Sequence, residues 1–198
     1  PIQFQWSVTM LRRDNRQAGR EERHGGPTGA DPTTGGPARY QIRQRMFAIG
    51  NDFWIENDRG LRAYKVDGRA LRVRNTLILE DSRGQQLARI QQRLARVRDT
   101  MAIEDDNGQR IGLVRKALIT PLRDRWTVNI RNGPDLAVQG NILNLEYTIG
   151  DGRNTVAEVS KRFFRVRDTY GVQISPGQDE VVILMIVIAI DDMAHSSR

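Results

Sequence analysis

The chain has no cysteine, two histidines and three lysines in its 198 residues. Without cysteine there can be no disulfide, no thiolate nucleophile and no cysteine-ligated zinc or iron–sulfur centre. The same absence fits a reducing compartment. The histidines are His24 and His195, one toward each end of the chain, so a histidine triad, a histidine general base or a multi-histidine metal site is not expected. Aromatic residues make up 6%, few for a surface that stacks on bases. The longest apolar run has ten residues, about half of what a transmembrane helix needs.

What the chain does have is arginine. Lys+Arg number 31 against 24 Asp+Glu, for a net charge of +7, and only Lys65, Lys116 and Lys161 are lysine. Such a balance favours anionic lipid or nucleic acid as partner, but the bases are interleaved with acids and form no polybasic block, as on a solvated mixed-charge surface. Residues 1–38 differ from the rest. The stretch PTGADPTTGGP over 27–37 holds too little apolar surface to offset the entropy of ordering it, so 1–38 read as a disordered extension. PIQFQWSVTMLRR at its head does not read as a signal peptide, because no long apolar stretch follows a basic start. A single domain over 39–193 and a tail over 194–198 account for the remainder.

From Tyr40 onward, short alternating runs are punctuated by Asx-rich turns ending in glycine: Asn57–Gly60, Asp81–Gly84, Asp105–Gly108, Asn132-Gly133 and Asp151-Gly152. The glycines are 24, 24, 25 and 19 residues apart. Asx residues and glycine tolerate the left-handed backbone that tight hairpin loops require. A second element recurs between the turns: Arg72-Val73-Arg74-Asn75-Thr76, Arg96-Val97-Arg98-Asp99-Thr100 and Arg165-Val166-Arg167-Asp168-Thr169, with a weaker copy at Arg123–Thr127. Alternation puts Val on one face and both arginines on the other, and the Asx-Thr pair makes the reverse connection. The chain reads as a meander of about a dozen strands, among them 43–49, 70–73 and 163–166 beside the segments flanking each turn. A dozen strands burying one face close most simply into a barrel. Phe47, Phe53, Trp54 and Trp126 fall where its core is expected.

The run Val181–Ile190 is apolar without a break, and seven of its residues are β-branched, which favours a strand. Ser175-Pro176-Gly177-Gln178 nevertheless has the form of a capping box, followed by Asp179 and Glu180 where the dipole of a first turn favours anions. A helix apolar all round must be enclosed. A barrel of about twelve strands has a lumen wider than its own side chains fill, so the expectation is a barrel with this helix inside it. Burial of the run is worth on the order of 20 kcal/mol gross.

Met46–Ile55, Tyr64–Gly68, the R-V-R-[DN]-T copies, Leu122–Trp126, Gln139–Ile142, Glu146-Tyr147, Ala157–Lys161 and Asp168–Val172 resemble, in order, the LURP-one-related family. The likeness covers about 39–193. That family is similar to the tubby C-terminal and phospholipid-scramblase superfamily. The resemblance implies a twelve-stranded barrel around a hydrophobic C-terminal helix, and phosphoinositide or membrane binding as in some tubby-like relatives.

Candidate chemistry follows from the few lysines. Lys65 and the adjacent pairs Arg115-Lys116 and Lys161-Arg162, near strand ends, are the candidate binding residues for an anionic lipid or phosphate. Ordinary strand-surface charge is the plainer reading of the same residues. Glu104–Gly108 is acidic, but as a calcium loop it would place Ile103 and Val114 at the first and last ligand positions, so a hairpin turn explains it better and no metal or cofactor is expected. Asp99, Asp124 and Asp168 recur at equivalent corners, which suits local backbone hydrogen bonding and not a catalytic pair. The function expected is a non-catalytic barrel that binds anionic phospholipid or a small ligand, cytoplasmic or peripheral to a membrane. A basic barrel associating with nucleic acid is the alternative.

Overall fold

A computed structural model describes residues 36–43, 52–67, 76–92, 100–120, 123–164 and 169–195. Twelve strands follow one another: β1 (Ala38–Arg43), β2 (Phe53–Asn57), β3 (Arg62–Asp67), β4 (Thr76–Asp81), β5 (Gln86–Gln92), β6 (Thr100–Asp105), β7 (Arg110–Thr120), β8 (Arg123–Ile130), β9 (Leu136–Asn141), β10 (Glu146–Gly150), β11 (Thr155–Ser160) and β12 (Thr169–Ile174). Each pairs antiparallel with its sequence neighbours, and β1 pairs with β12 from Ala38↔Ile174 to Arg43↔Thr169, which closes the barrel. Closure leaves no sheet edge to aggregate.

The expected hairpin grammar is present. Asn57, Asp81 and Asp105 open three turns of one design, in which the side-chain Oδ1 accepts the backbone N–H four residues on at 2.9, 2.8 and 2.7 Å. The left-handed residue is Gly60, Gly84 and Gly108, with φ of 73°, 82° and 77°. Each turn is accompanied by a register shift in the strand pair it joins, the extra residue that converts a four-residue loop into a regular ladder. All connections from an even strand to the next odd strand lie at this end of the barrel, the turn end. At the opposite rim the odd strands end and the even strands begin. Of the R-V-R-[DN]-T copies, 72–75, 96–99 and 165–168 lie outside the described residues, while Thr76, Thr100 and Thr169 are the first residues of β4, β6 and β12.

Two local expectations need correction, and two others lie mostly or wholly outside the described residues. Of the strand read as 43–49 only Arg43 is described, within β1 (Ala38–Arg43), whose alternation is carried by buried Tyr40 and Ile42; 44–49 and 70–73 lie outside the described residues. Phe163 and Phe164 are not in a strand. They lie over Gly171 of β12, where a Cβ would stand 2.6 Å from Phe163, so the glycine makes room for an aromatic turn folded back on the wall. Trp54 is on the outer wall, half-buried with the Arg62 guanidinium 5.0 Å from its ring centroid; Phe53 and Ile55 on either side take the inward positions.

The helix α1 (Glu180–His195) lies in the lumen. Its residues Ile183–Ile190 are all buried, and it packs against β5, β6, β7 and β12. Since β12 and β6 are diametrically placed in a twelve-strand ring, only a position inside the barrel touches both. Its sixteen residues span about 24 Å, close to the length of the strands around it. The cap differs from the expected one. Ser175 Oγ donates to the Thr155 carbonyl at 2.7 Å, and Gly177 takes a φ of 77°, which a helix cannot contain. Asp179 caps instead, its Oδ1 accepting the Val182 N–H at 3.0 Å.

Candidate functional site

The five candidate cations do not meet. Lys65 is on β3, Arg115 and Lys116 on β7, and Lys161 and Arg162 directly follow β11. In a ring of twelve, β3, β7 and β11 are each four strands apart, so the three lysines face three different thirds of the barrel. Their partners differ as well. Lys65 Nζ is 2.9 Å from Asp52 Oδ2 and 3.6 Å from Glu80 Oε2; the hydrogen bond to Asp52 raises its pKa, and its charge is locally neutralised. The Lys116 ammonium stands 5.5 Å from the centroid of Trp126, its register partner on β8, a cation–π contact. Arg115 is exposed and has no partner among the described residues.

Lys161 and Arg162 form a built turn. Glu146 of β10 pairs with Ser160 on one side and Asn141 on the other. Its carboxylate accepts the Ser160 hydroxyl at 2.9 Å and the Lys161 N–H at 3.2 Å, while Arg162 Nε is 3.9 Å away. Ser160 Oγ in turn accepts the Arg162 N–H at 3.0 Å. The carboxylate thus orders the backbone of the turn, and the Arg162 side chain remains 87% exposed. The neighbouring β9–β10 turn lies at the same rim. There Asn141 Oδ1 accepts the Asn144 N–H at 3.1 Å, Leu145 adopts a φ of 57° and is buried, and Leu143 is left 54% exposed. An exposed leucine therefore sits on the turn next to a lysine and an arginine. Leu143 is absent from the sequence reading because nothing in its local pattern separates it from buried Leu145; the register across Glu146 does.

On the outer wall of β6, β7 and β8 there is a groove of about 690 Å³. Arg110, Arg115 and Arg131 line it together with Ile111, Leu113 and Glu104. Glu104 is spoken for, its Oε2 accepting Arg89 Nε and Nη2, each at 2.8 Å. Of these residues the sequence reading names Arg115 as a binding candidate and Glu104 only within the hairpin turn that it sets aside as a calcium loop.

At the turn end, the Tyr40 and Tyr64 hydroxyls both donate to Glu180 Oε2, the latter at 3.4 Å. This ties the first residue of α1 to β1 and β3. Burial, reinforced by the Glu180 carboxylate, raises the pKa of both phenols. Tyr147 and Tyr170 are likewise raised well above the ordinary phenol value, by complete burial first and then by the charge of Asp191, itself buried near the far end of the helix.

A sequence profile of the LURP-one-related family matches residues 38–191. The chain belongs to the LURP-one-related family. No curated protein matches it. The chain is similar in fold to a crystallographically solved Arabidopsis thaliana protein, at 18% identity and a TM-score of 0.62, over 86% of this chain and the whole of the other. For this LURP-one-related barrel, no helix among the described residues is long and apolar enough to cross a membrane.

Proposed function

We propose that the protein is a non-catalytic module that docks on an anionic phospholipid surface through the rim formed by the β9–β10 turn and by Lys161 and Arg162 after β11. The observation that carries this reading is the juxtaposition of exposed Leu143 with Lys161 and Arg162. Peripheral docking combines shallow insertion of apolar side chains with cations at the headgroup level, each Lys or Arg near the surface contributing about 1 kcal/mol. The non-catalytic part is supported by the use made of the recurring turn carboxylates. Asp81, Asp105 and Asp151 each commit Oδ1 to backbone N–H groups of their own loops.

Vesicle flotation tests the reading. Binding is expected to vesicles containing phosphatidylserine and not to phosphatidylcholine alone. Lys161→Glu with Arg162→Glu should weaken it roughly thirtyfold or more, and Leu143→Asp should also reduce it. Leu61, 61% exposed at the turn end, supplies the control, since Leu61→Asp should leave binding intact. Equal binding to neutral vesicles, or no binding at all, refutes the proposal.

A further inference from the structure

We propose that the groove on the β6–β8 wall is a binding site for an elongated organic dianion, a molecule with phosphate or carboxylate groups at both ends of an apolar spacer. The inference is independent of membrane docking and concerns a different face of the barrel.

Arg110 and Arg115 lie on the same strand, five residues apart. Across the register shift Arg110 pairs with Glu104 and Arg115 with Thr100, so the two arginines share a face and four steps of about 3.3 Å, roughly 13 Å, separate their backbones. Arg131 stands at the Arg110 end, its N–H donating to the carbonyl of Ile111 at 2.9 Å. The groove therefore has two guanidiniums at one end and one at the other, with Ile111 and Leu113 between them. The carboxylate in the lining, Glu104, is neutralised by Arg89. Arg110 and Arg115 have no partner among the described residues, and Arg131 gives one Nη1 to Gln109 Oε1 at 2.8 Å, a neutral acceptor. Three like charges thus line one concavity without a compensating anion. A volume of about 690 Å³ falls in the range of small-molecule sites, and guanidinium forks match carboxylate and phosphate equally well. A compact anion such as inorganic phosphate reaches one end only and makes nothing of the apolar middle.

Isothermal titration of the full chain with sebacate, a long straight-chain dicarboxylate, tests the site against three comparators: octanoate with one charge, succinate with a short spacer, and inorganic phosphate. Sebacate is expected to bind at least about tenfold more tightly than any of the three, the difference a second charged contact makes. Arg115→Gln should bring sebacate down to the level of octanoate. The melting temperature should be unchanged, because Arg115 is exposed and holds no other group. The corresponding long-chain bisphosphate separates the two headgroup chemistries: tighter binding than sebacate assigns phosphate, weaker binding assigns carboxylate, and either outcome upholds the two-ended site. Absence of saturable sebacate binding overturns the proposal. So does equal affinity for octanoate or phosphate, or an Arg115→Gln variant that binds sebacate as the parent does.

Discussion

The inner and outer faces of the same twelve strands obey different rules. Inward positions such as Ile42, Ile55, Leu79, Ile90, Ile103, Val114, Val128 and Ile149 are almost entirely excluded from solvent, because each must fill its share of one volume around one helix. Outward positions answer to no shared volume. Trp54 stacks with Arg62, Lys65 bridges Asp52 and Glu80, Arg89 closes on Glu104, and Arg115 is left open. The lumen carries the fold, and the wall, free to differ strand by strand, is where ligand-facing groups collect.

The largest effect should come from violating the lumen. Ile186 is fully buried at the middle of α1. Ile186→Asp sets an unpaired carboxylate where no water reaches, a class of change worth more than about 4 kcal/mol, and the variant should be recovered only as insoluble protein. Ile186→Val, costing about 1 kcal/mol, should stay soluble with a lower denaturation midpoint. A soluble, β-rich Ile186→Asp protein would mean that the helix is not needed inside the barrel.

Tyrosine ionisation is a milder attack on the same interior. The chain's four tyrosines are Tyr40, Tyr64, Tyr147 and Tyr170, and the pKa of each is raised in the folded state, by burial first. An unfolded phenol titrates near pH 10. The folded state therefore favours the neutral form: this stabilisation is complete below about pH 10 and is lost as pH rises toward the folded values. Tyrosinate absorbance should appear in one step together with loss of circular dichroism. Gradual titration around pH 10 with the dichroism intact would show the phenols to be accessible.

How much of this was legible beforehand follows the same division. The turns at Asn57, Asp81 and Asp105 recur with their glycines because backbone conformation is local, and unbroken hydrophobicity over Val181–Ile190 demanded an enclosure. The helix cap was misplaced because Ser175 has a capping pattern but also a distant acceptor, the Thr155 carbonyl, invisible along the chain. The separation of the lysines was in principle readable. Lys65, Lys116 and Lys161 are 51 and 45 residues apart, close to two hairpin periods, hence four strands and a third of the ring. The groove was not readable, since it depends on Arg131 of one hairpin coming beside Arg110 of another across a strand pairing.

The smallest predicted difference is also the most local. Gly84 and Gly108 occupy equivalent positions in two turns of the same design, with φ of 82° and 77°, so alanine at either is strained by about 1–2 kcal/mol. Around Gly84 a Cβ would meet nothing within 4 Å, whereas at Gly108 it would stand 2.8 Å from Arg89 Nη2. The guanidinium tip can move, but in moving it loosens its bond to Glu104, a carboxylate with little access to water. A strained charge-assisted bond of this kind should add about 1 kcal/mol to Gly108→Ala beyond Gly84→Ala, measured as a difference in denaturation midpoints. If that excess comes from Arg89, it should vanish when both alanines are compared in an Arg89→Ala background; an excess that persists there would place the difference in the backbone of the turn.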